Sequence, residues 1–475
     1  MRIKYFILLY LLILVPEFSV AKEIVFTIHL RGVSDSKISL IPLAGTNALK
    51  AVFVIDGVKN GESAILNIPA NYLPGEFVLR FDYKENKAST PYPSEKRIII
   101  NNQDLDLWVH PIYSNNPDST WFQKDEKENR TYSGFLKENT RQKEKLGLLQ
   151  NFLLNYDDIE SRLYKTAISE YEKRRKAFNN WIASQTKENK DLFVSSYFGF
   201  QYVPQINWKG NEADRKKSMR ENYFEGIDFK NTLIIKTSGL KEWMDGYVNL
   251  YGELATSVPL RDSLFTLAGK MAIEKSKEGN PLIFGWMVDY FFKGYESFNI
   301  EKGIKMLQPY LDDPNCLTSK RQEINRRLKG IEALVPGSKA PDILLKDTGN
   351  RAFDLYTYQP GGKYILLLFW SADCSNCQAT VSKLFPWYLQ DDIKQKVDIV
   401  AISVDETKSE IEAWQNKIKE LAGWTHVNAP EGIRSKAAND YYILSVPVMV
   451  LLDSKTKEII SLPENIEQLI VLVNL

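Results

Sequence analysis

Cysteine and histidine are scarce in this 475-residue chain, at three each. The cysteines include only one C-x-x-C pair, so no second pair is available to complete a four-ligand zinc site. His29 and His110 have no metal-ligand spacing around them and read as ordinary sheet or loop residues. An excess of one charge is also missing. With 61 Lys and Arg against 60 Asp and Glu, the formal charge of +1 gives no electrostatic argument for nucleic acid or an anionic membrane as partner. No phosphate loop of the G-x-x-x-x-G-K-[ST] kind, no internal repeat and no low-complexity tract occurs. Aromatics reach 12% but are dispersed and form no stacking platform. Beyond the N-terminus, no apolar run approaches the roughly 20 residues that a bilayer requires.

What is present begins with "MRIKYFILLYLLILVPEFSVAKE". Arg2 and Lys4 precede a short apolar stretch from Tyr5 to Val15, and Ser19-Val20-Ala21 places small residues where signal peptidase cuts. The expectation is a signal peptide over 1–21, cleaved after Ala21, with the mature protein in the periplasm or cell envelope. No cysteine near the cut indicates a lipid anchor. In such a compartment cysteines persist either as disulfides or as redox-active pairs.

The chain is too long for one hydrophobic core, so two to four domains are expected. Over 22–110 the pattern has period two. In "EIVFTIHL", Ile24, Phe26, Ile28 and Leu30 face one way, and further short runs such as "KISLIPL", "EFVLRFDY" and "LDLWVHP" are punctuated by turn residues. This predicts a small antiparallel β-sandwich. Over 111–334 the spacing becomes helical, as in "DIESRLYKTAISEYEKRRKAFNNWIASQ", where Leu163, Ala167, Tyr171, Phe178 and Ile182 share a face. The aromatic stripes of this all-α region read as core. Cys316, in "YLDDPNCLTSKRQEI", is an unpaired thiol at the entry to a helix and reads as buried and inert. "LVPGSKAPDI" then breaks the helices as a linker.

Over 335–475 strands alternate with helices: the buried run "YILLLFW", a helix from about Cys374 to Leu389, "VDIVAISV", two further helical stretches, "VPVMVLLD", a short strand "EIISL" paired with it as a hairpin, and a closing helix. This is an α/β domain. The pair sits in "WSADCSNCQATV", directly after the first buried strand. One helical turn brings Cys374 and Cys377 within disulfide reach. Cys374 opens the helix, where unpaired N–H groups and the dipole favour an anion. That makes Cys374 the expected nucleophile towards a disulfide and Cys377, one turn deeper, the resolving thiol.

Taken together, Ala340-Pro341-Asp342, the Gly-Lys ahead of the buried strand, Phe369-Trp370, Cys374-x-x-Cys377, "VAISVDE" and Val446-Pro447 resemble the TlpA/ResA-like thioredoxins, exported or membrane-anchored thiol-disulfide oxidoreductases. The resemblance covers about the last third of the chain. The regions before it are similar to the N-terminal extensions of exported Bacteroidetes thioredoxin-like proteins. It implies a multidomain chain with an N-terminal β-sandwich, a central all-α region and a C-terminal thioredoxin-like fold. It also implies a cis bond at Pro447, with the backbone of Val446 offered to an extended substrate and Trp370 lining the same place. Further implications are protein dithiol or disulfide substrates, action as a reductase, recharging by a membrane electron donor, and no cofactor or metal. Three departures bear on redox potential and partner. Leu368 stands where thioredoxin has a buried Asp, Asp373 puts a charge beside the first thiol, and Thr380 and Ser382 replace a common Glu and Pro. Ser375-Asn376 between the cysteines also differs from Gly-Pro. A non-catalytic binding protein using the fold as a docking module is the second reading. A peroxidase ranks last, since no Pro-x-x-x-Thr/Ser-x-x-Cys precedes Cys374.

Overall fold

The computed structural model describes residues 23–45 and 47–474, so the expected signal segment lies outside the described residues. The chain divides at 250/251 into two compact units, and the helices between the sandwich and the α/β domain are shared out between them.

Among the described residues of the first unit, eight strands form two four-stranded sheets. They are β1 (Ile24–Leu30), β2 (Asp35–Pro42), β3 (Phe53–Lys59), β4 (Ser63–Ile68), β5 (Gly75–Lys84), β6 (Tyr92–Ile100), β7 (Leu105–Val109) and β8 (Trp121–Phe122). The sheet orders are β4-β1-β7-β8 and β3-β2-β5-β6. The alternation seen in β1 is realised: Ile24, Phe26, Ile28 and Leu30 are buried and meet Leu40, Phe77, Leu79, Phe81 and Ile98 in the core. The sandwich departs from the expected antiparallel form in one place, since β1 and β7 pair in parallel. It also runs past residue 110, because Trp108 pairs with Trp121 of β8.

Two long helices follow, α1 (Glu128–Asn155) and α2 (Arg162–Glu188), with the short α3 (Ser195–Phe198), α4 (Glu212–Glu221) and the start of α5 (Ser238–Gly252). Ser161 caps α2 by accepting from the Tyr164 N–H. Leu146, Leu153, Tyr164, Tyr171, Phe178 and Ile182 bury the facing stripes of α1 and α2. The buried Glu128 carboxylate accepts from the backbone N–H groups of Phe193 and Val194, both at 2.9 Å, and from the Asn101 amide at 2.7 Å. Three segments are thereby tied at the mouth of α1.

The second unit carries α6 (Val258–Lys277), α7 (Pro281–Ser297), α8 (Glu301–Met306), α9 (Gln308–Leu311) and α10 (Arg321–Ala333). Gly285 of α7 lies directly on the chain carrying Cys316, and a Cβ there would sit 2.2 Å from the Leu317 carbonyl. The rest of the unit is a seven-stranded sheet of order β10-β9-β13-β12-β11-β14-β15. Its strands are β9 (Leu344–Asp347), β10 (Ala352–Asp354), β11 (Tyr364–Trp370), β12 (Val397–Ser403), β13 (Thr425–Asn428), β14 (Val448–Asp453) and β15 (Ile459–Ser461). Helices α11 (Ser375–Tyr388), α12 (Asp391–Lys394), α13 (Lys408–Lys417), α14 (Lys436–Asp440) and α15 (Ile466–Val473) complete it. β11 and β12 are parallel while β11 and β14 are antiparallel, which is the mixed sheet of a thioredoxin-like fold. β11 is buried throughout because both its faces are covered. Leu366, Leu368 and Trp370 point into a core with α11 and α15, and Ile365, Leu367 and Phe369 into the core on the other side. Among the described residues no helix is long and apolar enough to cross a membrane.

Candidate functional site

The site forms where β11 stops. A three-residue turn, 371–373, carries the chain from the sheet to α11, and Cys374 takes the N-cap position with an extended backbone, φ −93° and ψ 118°. Its sulfur accepts from the Cys377 N–H at 3.2 Å. The sulfur therefore occupies the place where capping side chains satisfy the unpaired donors of a first helical turn. The Cys374 carbonyl takes the Gln378 N–H at 2.9 Å, and the Gln378 amide reaches back to the Ala372 carbonyl at 2.8 Å, clamping the turn to the helix.

The two thiols differ sharply in surroundings. Cys374 is partly exposed, whereas Cys377 is fully buried beside Trp370, Val381 and Leu384. Burial pushes the Cys377 thiol well above its ordinary range, assisted by its bond with Cys374 and by the charge of Asp405, with a main-chain bond from Ser371 working the other way. Neither cysteine is in a disulfide, and Cys316, also buried and free, has its thiol raised first of all by burial.

Across from the pair, the Val446–Pro447 peptide bond is cis, and the Cys374 thiol lies 3.7 Å from the Val446 carbonyl oxygen. Cys374, Cys377, Val446 and Pro447 thus come together at one end of the interior strands β11 and β14. Trp370 does not join them at the surface. It has no exposed area and forms the wall beneath Cys377, so its contribution to a substrate's environment is through packing and not contact.

One residue given no role in the sequence reading stands at the centre of the site. The ladder between β11 and β12 runs one step beyond the strands, with the Val404 N–H donating to the Trp370 carbonyl at 2.9 Å, and this delivers Asp405 beneath the turn. Asp405 is 1% exposed. Its carboxylate accepts from the Ser371 hydroxyl at 2.6 Å, the Ala372 N–H at 3.2 Å and the Ser403 hydroxyl at 2.7 Å. Asn428 of β13 braces it by donating to Ser403 Oγ and to the Asp405 carbonyl, each at 3.2 Å. The available signal was an acid just past an apolar strand, in "VAISVDE", where a carboxylate needs a reason to be. Among the described residues no cluster of three or more His, Cys, Asp or Glu is placed to hold a metal.

A partly exposed sulfur at a helix N-terminus, with a buried thiol one turn on and an open backbone carbonyl opposite, can exchange disulfides by successive thiolate attack.

Comparison with known proteins finds a family model over the region of the site and several similar proteins. A thioredoxin-like family model matches residues 361–459. The thiol-disulfide oxidoreductase ResA of Geobacillus thermodenitrificans is 32% identical over 134 residues, which is 27% of this chain and 71% of the relative. ResA of Bacillus subtilis is 35% identical over 88 residues, 18% of this chain and 45% of the relative. Among solved structures, the thioredoxin domain of a thiol-disulfide oxidoreductase from Bacteroides vulgatus is 27% identical, covers 30% of this chain and 96% of its own, and has a TM-score of 0.26. A thioredoxin-like protein from Bacteroides caccae is 17% identical, covers 57% of this chain and 97% of its own, and has a TM-score of 0.38.

Proposed function

We propose, from the premise that this chain belongs to the TlpA/ResA-like family of thiol-disulfide oxidoreductases, that Cys374 and Cys377 are its redox couple and that it works in the cell envelope as a reductant of protein disulfides. The observation that carries this reading is the contrast between the two sulfurs: one caps a helix at the surface, and the other is held protonated by burial one turn below. Cys374, as thiolate, attacks a substrate disulfide RS–SR′. The Cys374–SR bond forms, the S–S bond breaks, and R′S⁻ leaves to take a proton. Cys377 then loses its proton and attacks the Cys374 sulfur, forming the Cys374–Cys377 disulfide and expelling RS⁻, which is protonated in turn. Two electrons pass to the substrate, which leaves as RSH and R′SH, while the protein is left oxidised.

The backbone at Val446 is the docking edge for an extended substrate. Its carbonyl faces the nucleophile and can pair with a strand-like segment without reading side chains. Re-reduction falls to a membrane electron donor, and the N-terminal segment directs export.

Reduction of insulin disulfides by the full chain tests the reading. Cys374→Ser abolishes turnover, and Cys377→Ser accumulates mixed disulfides with substrates. Turnover by Cys374→Ser equal to the parent protein excludes Cys374 as nucleophile.

A further inference from the structure

We propose that Arg326 of α10 is a positioning residue for substrate docking: it clamps the turn from which Val446 emerges and so holds the Val446 carbonyl where an extended disulfide substrate pairs with it. The inference rests on the docking role given to Val446 above and names what keeps that backbone in place.

The turn closes α14. Tyr442, just beyond the helix, takes the left-handed region with φ 53°. Its N–H donates to the Asn439 carbonyl at 3.0 Å, and the Ile443 N–H donates to the Ala438 carbonyl at 2.8 Å. Helices that end on a left-handed residue use this bond pattern, and glycine usually fills the position. A tyrosine holds it only where the surroundings over-determine the backbone. From there the chain has little slack before the site. Leu444 and Ser445 alone separate Ile443 from Val446, whose carbonyl oxygen lies 3.7 Å from the Cys374 sulfur.

Arg326 supplies the constraint. One terminal nitrogen, Nη2, donates to the Ala438 carbonyl at 3.1 Å and to the Ile443 carbonyl at 2.8 Å, so its two hydrogens bridge the two ends of the turn. One helical turn further along α10, Gly330 lies against Tyr442, and a Cβ there would sit 2.8 Å from the Tyr442 Cβ. Leu334, just past α10, shares a buried core with Tyr441 and Ile443. The neighbouring Arg327 donates to Glu296 at 2.9 Å and to Asn299 at 3.1 Å, fastening α10 to the end of α7. Among the described residues no carboxylate pairs with Arg326, and burial pulls its pKa below the ordinary arginine value. A partly buried charge without a counterion costs free energy, and here it is met by two carbonyls of one turn.

Ordering a loose backbone subtracts from the free energy of any bond that the backbone makes to a ligand. A turn fixed beforehand therefore holds an extended chain more tightly than a mobile one. A small disulfide reacts at Cys374 without using the Val446 carbonyl and gains nothing from the clamp.

The test compares two disulfides. The reduced full chain is mixed with Ellman's reagent, which is too small to pair as a strand, and with an extended disulfide-bonded peptide. Arg326→Met keeps the apolar stem and removes the donors. It should slow the reaction with the peptide about 5- to 20-fold and leave that with Ellman's reagent within about twofold, and Arg326→Lys should restore part of the peptide rate. Amide exchange at Tyr442 and Ile443 should quicken in Arg326→Met. An unchanged peptide rate overturns the proposal, as does an equal slowing towards both disulfides, which marks general destabilisation. Should Arg326→Met fail to fold, Gly330→Ala carries the test through the displaced Tyr442, and an unchanged peptide rate in it is equally fatal. A peptide N-methylated at the amides beside its disulfide probes the premise separately. It cannot donate to Val446, so it should react slowly with the parent protein and no more slowly with Arg326→Met. If it matches the unmethylated peptide on the parent protein, the docking role of Val446 falls and this inference falls with it.

Discussion

Replacing Tyr171 by Phe isolates one oxygen atom in the first unit. The ring of Tyr171 is fully buried in α2 and meets Trp208 edge-on at 5.1 Å, yet its hydroxyl has no hydrogen-bond partner among the described residues. An unpaired buried hydroxyl costs about 1–3 kcal/mol, against which the variant loses only the packing of one atom. Near neutral pH, Tyr171→Phe should therefore match the parent or exceed it by up to about 2 kcal/mol. Alkaline pH adds a second, independent signature. Burial, then the like charge of Glu172, pushes the phenol from 10.0 up to about 12, with Arg175 opposing. The folded state thus keeps a proton that the unfolded chain surrenders above pH 10. The stabilisation is fully present below that value and is lost as pH rises towards 12. At about pH 11 the loss from this group alone is about 1.4 kcal/mol, and the Phe variant escapes it. Urea unfolding of both proteins near pH 7 and near pH 11, followed by a probe in the first unit, measures the difference. A variant that is over about 1 kcal/mol weaker at neutral pH, with the parent's alkaline slope, refutes the reasoning.

Two further perturbations follow from contacts elsewhere. Glu128→Ala leaves the buried N–H groups of Phe193 and Val194 without an acceptor and should cost about 2–5 kcal/mol in chemical denaturation; a loss under about 1 kcal/mol contradicts the assignment. Gly285→Ala forces a methyl against the Leu317 carbonyl, so the loop must move, at a cost of about 1–3 kcal/mol. Its melting temperature should fall and Cys316 should react faster with thiol reagents, and parent-like values for both would show that the loop yields freely.

Local patterning made much of the architecture legible. The period-two alternation in "EIVFTIHL" appears as the buried face of β1, and the uninterrupted apolar run "YILLLFW" becomes the doubly covered β11, because each reflects how many faces a strand buries. The helix expected from about Cys374 to Leu389 spans Ser375–Tyr388. Long-range pairing was not legible. Nothing local marks β1 and β7 as parallel neighbours, since they lie at opposite ends of the sandwich sequence. The split of the helices between two units was equally hidden, because amphipathic stripes say that a face is buried but not against what. "EGIRSKAANDYYI", the second of the two helical stretches expected between "VDIVAISV" and "VPVMVLLD", contains only a short turn at Gly432–Arg434 and α14, interrupted by the cap at Ser435. Spacing alone brought Cys374 and Cys377 together. Asp405 was missed because its place beneath the turn depends on the β11–β12 register.

The unequal exposure of the sulfurs sets how the reduced chain presents itself to chemistry of any kind. Cys316 and Cys377 are 1% and 0% exposed, and Cys374 alone reaches the surface. To a bulky alkylating reagent the intact molecule is a monothiol. The number of labels it accepts then climbs from one to three only as the second unit opens, so its own sulfur count serves as a gauge of whether that unit is whole.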